Sequence, residues 1–169
     1  MKFYIKLLLI SVAITIFSCE DDGYADFNPG ETNTQEFAGE WYVVAYDPDG
    51  NTAFGGDYIL LSTYNTAANN DSIWIDDHGS WMEIKTRVNT NPANFTFAGP
   101  ENAPELITGG TVSVSSGQII KDGGRAANSR TVTDSIYFEA EFDWEPGVIY
   151  TFGGHERTGF DEDEDPHLN

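Results

Sequence analysis

The feature that most limits the possible folds is a series of short runs rich in Val, Ile, Tyr, Phe, Trp and Thr, separated by clusters of Gly, Pro, Asn and Asp. These residue types favour strands and turns, and no long stretch has the period of an amphipathic helix. The runs predict eight strands, at residues 39–46, 58–64, 72–76, 81–89, 94–97, 111–120, 132–142 and 148–158. About eight antiparallel strands suit a closed barrel or a two-sheet sandwich.

Alternation within the runs predicts which faces are buried. In the run 132–142, Ile136, Phe138 and Ala140 share one face and polar residues share the other, so one side should be packed and the other solvated. Asp134 is the exception on the apolar face, either near the open end of the strand or lining a cavity. The runs 39–46 and 58–64 are apolar on both faces, which predicts strands that are covered on both sides.

The N-terminus predicts export. Lys2 and Lys6 precede a mostly apolar run at residues 7–17, which is shorter than the roughly 20 residues that a membrane-spanning helix needs. Ile16-Phe17-Ser18-Cys19 then resembles the lipobox of bacterial lipoproteins, although Phe17 stands where that motif usually has a small residue. The resemblance implies residues 1–18 as a signal peptide and Cys19 as the lipidated residue. The alternative is an ordinary secretory signal that leaves a free thiol.

Acidic segments flank the predicted barrel at residues 37–160. Residues 19–36 are turn-rich and predict a flexible tether, and residues 161–169 carry a run of like charges that predicts a disordered, solvated tail. Glu20-Asp21-Asp22 resembles the signals that send some Gram-negative lipoproteins to the outer face of the outer membrane. The resemblance implies an outer-membrane lipid anchor that faces the cell surface; the alternative is a plain soluble linker.

The charge of the chain limits its partners. Acidic residues outnumber basic ones 28 to 8, and loss of Lys2 and Lys6 with the signal would take the net charge from −20 to −22. Such a surface repels nucleic-acid phosphates and anionic lipid headgroups, so we expect no nucleic-acid partner. A membrane anchor must therefore be covalent, through acylated Cys19, and the sequence identifies no protein partner.

Two residues in the first and last predicted strands are similar to the calycin pattern of lipocalins. Gly39-Glu40-Trp41 opens the first strand, and Arg157 lies at the end of the last one. In calycins, an Arg from the final strand covers the Trp near the closed end of the barrel. The resemblance implies a structural cation–π pair between Trp41 and Arg157. The alternative is that Arg157 is a surface residue of an edge strand.

A longer resemblance covers nearly the whole domain. The segments Leu61-Ser62-Thr63-Tyr64-Asn65-Thr66-Ala67-Ala68-Asn69, Ile73-Trp74-Ile75-Asp76-Asp77 and Arg157-Thr158-Gly159-Phe160 resemble the Gram-negative lipoproteins called lipid-binding putative hydrolases. This resemblance implies a lipocalin-like antiparallel barrel of about eight strands on a lipoprotein signal. It brings no catalytic motif that could be carried over to this chain.

The sequence contains no recognisable catalytic, cofactor or metal motif. It lacks the Gly-x-Ser-x-Gly pentapeptide of a nucleophile elbow. His155-Glu156 begins like a zinc-protease motif, but Gly159 stands where the second His belongs. His78 lies in a predicted turn and is expected to be solvated. A hydrolase remains a hypothesis, and it requires a His within hydrogen-bonding reach of a Ser or a carboxylate in a cleft.

Aromatic residues with polar groups suggest a pocket for a small hydrophobic, lipid-like or sugar-like ligand. The candidates are Tyr42, Tyr46, Tyr58, Tyr64, Trp74 and Trp81. The alternative is that most of them fill the barrel, which would then be an accessory surface protein that presents loops such as residues 122–129. An open interior of several hundred Å³ would favour the first hypothesis and a filled interior the second.

Overall fold

The computed structural model describes residues 32–68, 70–80 and 83–167. Within these residues the chain forms nine strands and two short 3₁₀ turns, at Gln35–Phe37 and Asp161–Asp163. No helix in this part of the chain is long and apolar enough to cross a membrane. The strands are β1 (Gly39–Tyr46), β2 (Ile59–Asn65), β3 (Ser72–Asp76), β4 (Lys85–Asn91), β5 (Thr96–Ala98), β6 (Ala103–Pro104), β7 (Thr111–Arg125), β8 (Val132–Phe142) and β9 (Ile149–Glu156).

Eight of the strands close into an antiparallel barrel in the order β1-β2-β3-β4-β5-β7-β8-β9, and β9 pairs back with β1. The two-residue β6 adds to one end of β7. The predicted all-β, eight-stranded barrel is therefore confirmed, and β1, β3 and β8 have the predicted bounds. β4 begins at Lys85 rather than at residue 81, β7 continues to Arg125, and β6 was not predicted.

Alternate residues of each strand point into the barrel and fill it. Phe138 and Phe152 stack at the centre with ring centroids 4.5 Å apart. Gly154 allows β9 to approach β1, because a Cβ there would lie 2.1 Å from the carbonyl oxygen of Tyr42. The buried core includes Phe37, Trp41, Val43, Leu61, Ile73, Ile75, Val88, Val114, Ile119, Ile136, Phe138 and Phe152.

The 3₁₀ turn Gln35–Phe37 closes one end of the barrel. Phe37 is completely buried, and its carbonyl oxygen accepts a 2.5 Å hydrogen bond from the Thr63 hydroxyl. Lys121 forms salt bridges with Glu36 at 2.7 Å and with Asp134 at 2.9 Å. Asp134 therefore lies near this end of the barrel, close to the start of β8. The predicted tether at residues 19–36 therefore extends too far towards the C-terminus, because residues 34–36 pack on the barrel.

The C-terminal segment 160–167, called here the strap, packs against the outside of the barrel. Asp163 is completely buried and accepts hydrogen bonds from the Ser129 backbone N–H, the Ser129 hydroxyl and the Thr158 hydroxyl, at 2.6 to 2.7 Å. Pro166 is buried as well. The prediction of a disordered tail is wrong for residues 161–167, because the barrel supplies donors for these carboxylates.

The strap also covers the outer face of β1. Tyr42 and Val44 point outward, yet they are only 7% and 2% exposed. The Tyr42 hydroxyl donates a 2.8 Å hydrogen bond to Glu164 of the strap. The prediction that both faces of β1 are covered is confirmed.

Several predictions fall on residues that lie outside the described part of the chain. These are the signal peptide at residues 1–18, the lipidation site Cys19, the tether up to residue 31, the pocket candidate Trp81, and residues 168–169.

Candidate functional site

The described residues of the barrel interior do not form an aromatic ligand pocket. The side chains that point inward are almost completely buried and pack on one another, as the stacked Phe138–Phe152 pair shows. An open interior would have favoured a ligand inside the barrel, and the filled interior argues against one. The described clefts that could hold a ligand lie on the outer wall and at one rim.

Three of the predicted pocket residues lie on the outer wall near the strap. Tyr42 and Tyr46 share the outward face of β1, and Tyr58 directly precedes β2. His155 lies between Tyr42 and Tyr58, with ring centroids 5.9 and 5.5 Å away. His155 is 4% exposed, and its Nε2 has no hydrogen-bond partner among the described residues. A cavity of about 400 Å³ lies beside Tyr58, lined also by Phe54, Gly55 and Asp57.

Two other candidates lie on a different part of the outer wall. Tyr64 and Trp74 are direct cross-strand partners on β2 and β3. The Tyr64 hydroxyl donates a 2.6 Å hydrogen bond to Asp76, which also accepts one from Lys85 Nζ at 2.6 Å. The structure therefore does not gather the five described candidates into one pocket, and the prediction that they line one is wrong.

Trp74 does line a cleft, which lies between β4 and the segment 100–106. The cleft has a volume of about 300 Å³, at the lower limit of the range for small-molecule sites. Leu106 is 54% exposed at its edge, and its backbone N–H donates to the Lys85 carbonyl oxygen at 2.9 Å. The cleft is lined by Trp74, Thr86, Arg87, Asn89, Pro100, Ala103, Pro104 and Leu106.

Arg87 gives this cleft a positive charge that no described carboxylate neutralises. Lys85, Lys121 and Arg157 each bond one or two carboxylates. Arg87, by contrast, makes no ion pair with any described residue within 4.0 Å and is exposed at the cleft. In a chain with a net charge of −20, a free guanidinium beside apolar walls can bind a carboxylate or phosphate through two parallel hydrogen bonds.

A polar network lies beside this cleft on the same wall. His78 lies in a turn with a φ of 60° and is exposed, as predicted, and its Nε2 also lies 2.7 Å from Ser62 Oγ. Asp76 accepts a 2.9 Å hydrogen bond from the His78 backbone N–H. Burial alone would raise the pKa of Asp76, but the hydrogen bonds from Lys85, Tyr64 and His78 hold that pKa below its usual value.

A second cleft, of about 260 Å³, lies at the barrel rim opposite the closed end. Phe142 and Trp144 stack there at 5.2 Å, and Phe54 meets Trp144 edge-on at 6.0 Å. The remaining lining includes three carboxylates, from Glu83, Glu105 and Asp143. Burial would raise the pKa of Glu105, but hydrogen bonds from Thr108 and two further backbone N–H groups hold it below its usual value. This acidic rim disfavours an anionic ligand.

The predicted pair of Trp41 and Arg157 is not stacked. Trp41 is 1% exposed inside the barrel, whereas Arg157 points outward and bonds Glu40 and Glu164. Among the described residues, the cations that lie over rings are Lys85 on Tyr64 and Lys121 on Phe95. Arg157 therefore holds the strap to β1 instead of covering the indole.

The histidines offer no metal site in the described chain. His155 and Glu156 are neighbours on β9, so they point to opposite faces of the wall. No group of three or more His, Cys, Asp or Glu side chains in the described ranges is placed to hold a metal ion. The Asp47 carboxylate accepts hydrogen bonds from the backbone N–H groups of Asp49 and Asn51, which makes it part of a turn.

Comparison with known proteins identifies the family. The family model described as lipid-binding putative hydrolase matches residues 26–161. Because this match covers more than half of the chain, the protein belongs to that family, and the resemblance noted in the sequence is confirmed. No curated protein matches the chain.

Proposed function

We propose, from membership of this family and from the outer-wall cleft, that the protein binds a small lipid-like molecule with an anionic headgroup. The observation that carries the proposal is the unpaired Arg87 guanidinium beside the apolar walls formed by Trp74 and Leu106. Burial of an alkyl chain against these walls contributes about 25 cal/mol per Å² of apolar surface. The charged headgroup would then bind Arg87 at the edge of the cleft.

The cleft is a better candidate than the barrel interior or the rim cleft for such a ligand. The barrel interior is filled by core side chains. The rim cleft has aromatic walls, but three carboxylates surround it and would repel an anion. The outer-wall cleft combines apolar side chains with a cation.

Native mass spectrometry of protein purified from its own host tests this proposal. We expect a retained mass of an acidic amphiphile on the wild-type protein, and its loss from Trp74→Ala and Arg87→Gln. Arg125→Gln is a matched control, because Arg125 is an exposed cation on β7, outside the cleft. Wild-type protein that is folded but repeatedly empty would contradict ligand binding.

The filled interior favours a second candidate function, that of an accessory surface protein without a ligand. In that case residues 122–129 would be available to a partner. Part of this loop is already engaged, since Asn128 and Ser129 bond the strap at 2.6 to 2.7 Å. Repeatedly empty protein in the experiment above would favour this candidate.

We also propose that acylated Cys19 anchors the barrel to the outer membrane, with its acidic tether directing it to the cell surface. The support is the lipobox-like Ile16-Phe17-Ser18-Cys19 and a net charge of −20, which disfavours electrostatic docking of the whole domain on an anionic membrane surface. Cys19→Ser should release a folded, soluble domain from the membrane fraction. A Cys19→Ser protein that remained with membranes after signal removal would contradict the anchor.

A further inference from the structure

We infer that Ser62 and His78 form a nucleophile and general-base pair that cleaves carboxylic esters of lipid-like acids. The Ser62 hydroxyl lies 2.7 Å from His78 Nε2, within the distance over which a base takes a proton from a nucleophile. Ser62 donates to Nε2 when the neutral imidazole carries its proton on Nδ1.

The surrounding turn holds His78 in place. Its backbone N–H donates to Asp76 at 2.9 Å. Asp77 accepts hydrogen bonds of 3.1 Å from the N–H groups of Gly79 and Ile84 and so ties both sides of the turn together. The imidazole is exposed whereas Ser62 is 7% exposed, so a substrate and the hydrolytic water reach the Ser62 hydroxyl beside the imidazole.

Each carboxylate beside Ser62 is bonded to a cation. Its cross-strand partners are Glu40 on β1 and Asp76 on β3. Glu40 is bonded to Arg157, and Asp76 to Lys85. Lys85 compensates the charge of Asp76, whereas Arg157 is shared between Glu40 and Glu164 and compensates the charge of Glu40 only in part.

The proposed lipid cleft adjoins this pair. Trp74 precedes Asp76 by two residues on the same face of β3, so it is the diagonal neighbour of Ser62, roughly 7 to 8 Å away between Cα atoms. An acyl chain that lies along Trp74 can present its ester carbonyl to Ser62. This placement of the acyl chain rests on the proposed binding function, whereas the pair itself does not.

The reaction follows from the geometry. Ser62 Oγ attacks the ester carbonyl carbon while its proton moves to His78 Nε2. The tetrahedral intermediate expels the alcohol, which takes that proton from Nε2, and leaves an acyl group on Ser62. Water then attacks the acyl carbon and gives its proton to Nε2, and Ser62 Oγ regains a proton as the carboxylic acid leaves. The products are one acid and one alcohol.

Two small probes test the pair independently of the cleft. A fluorophosphonate that labels activated serines, followed by peptide mass mapping, should modify Ser62, and p-nitrophenyl acetate should be hydrolysed. Ser62→Ala should abolish the labelling, and His78→Gln should lower labelling and turnover by at least about 100-fold. Ser135→Ala, a serine opposite the other barrel histidine, and His167→Gln are controls that should behave like wild type.

The labelling and hydrolysis experiments have outcomes that would overturn the inference. Absence of labelling, labelling at another serine, or full activity of His78→Gln would overturn the inference. If Ser62→Ala fails to fold, as judged by circular dichroism, His78→Gln carries the test, because that side chain is exposed. Failure of the lipid-binding proposal would leave labelling of Ser62 intact, because neither probe needs the cleft.

Discussion

The Trp41 indole N–H donates a 2.8 Å hydrogen bond to the Thr63 hydroxyl inside the closed end of the barrel. The Thr63 hydroxyl in turn donates to the Phe37 carbonyl oxygen at 2.5 Å. All three residues are at most 3% exposed. One hydroxyl thus connects β1, β2 and the 3₁₀ turn, and it fixes the Trp41 indole by a hydrogen bond.

Thr63→Val should destabilise the barrel although it preserves the shape of the side chain. It leaves the Trp41 N–H and the Phe37 carbonyl oxygen buried without this partner, and each such loss costs about 1–3 kcal/mol. We expect the free energy of unfolding in urea to fall by about 2–4 kcal/mol. Thr96→Val, half-buried on the outer wall, is the control and should change it by about 0.5 kcal/mol or less. Equal stability of the two variants would contradict this role of Thr63.

The strap should detach as the pH falls. Burial would raise the pKa of Asp163, but hydrogen bonds from Ser129 and Thr158 hold it below its usual value. A depressed pKa means that this contribution is complete above the unfolded value of about 3.9 and is lost as the pH falls below it. Amide hydrogen exchange at residues 160–167, corrected for intrinsic rates, should show loss of protection below about pH 4.

Asp163→Asn should weaken the same protection at neutral pH, because the amide cannot accept all three hydrogen bonds. Glu162→Gln changes a neighbouring exposed carboxylate and should leave protection unchanged. Wild-type protection in Asp163→Asn would show that the carboxylate does not hold the strap.

Glu156→Gln should stabilise the barrel at neutral pH. Burial and then the charge of Asp134 raise the pKa of Glu156, with Lys121 opposing them. A raised pKa means that the contribution to stability is present below the unfolded value of about 4.3 and is lost as the pH rises through the folded value. The Tm of Glu156→Gln should therefore exceed that of wild type at pH 7, and the difference should disappear near pH 4. A lower Tm at pH 7 would show that the ionised carboxylate is favourable.

Local pattern was sufficient for the barrel and for much of its register. The alternation in residues 132–142 placed Ile136, Phe138 and Ala140 on the core face, as observed. The same rule could have located the aromatics, since Trp41 and Val43 point inward and Tyr42 must then point outward.

Long-range contacts were beyond local pattern. The cleft depends on Leu106 reaching Lys85, and the Ser62–His78 contact joins β2 to a turn beyond β3. The acidic run at 161–165 predicts repulsion when it is considered alone. It is ordered because Ser129, Thr158 and Arg157 supply donors from elsewhere in the chain.

Isothermal titration calorimetry with dodecanoate, below its critical micelle concentration, tests the central claim most directly. We predict one site on the wild-type protein. Binding to Arg87→Gln should be at least about tenfold weaker, because loss of about 1.4 kcal/mol from the charged headgroup contact is a tenfold change in Kd. Binding to Trp74→Ala should be weaker because apolar contact is lost. Arg125→Gln should bind like wild type. Absence of binding, or equal affinity of all four proteins, would contradict a lipid-like ligand in the cleft between Trp74 and Leu106.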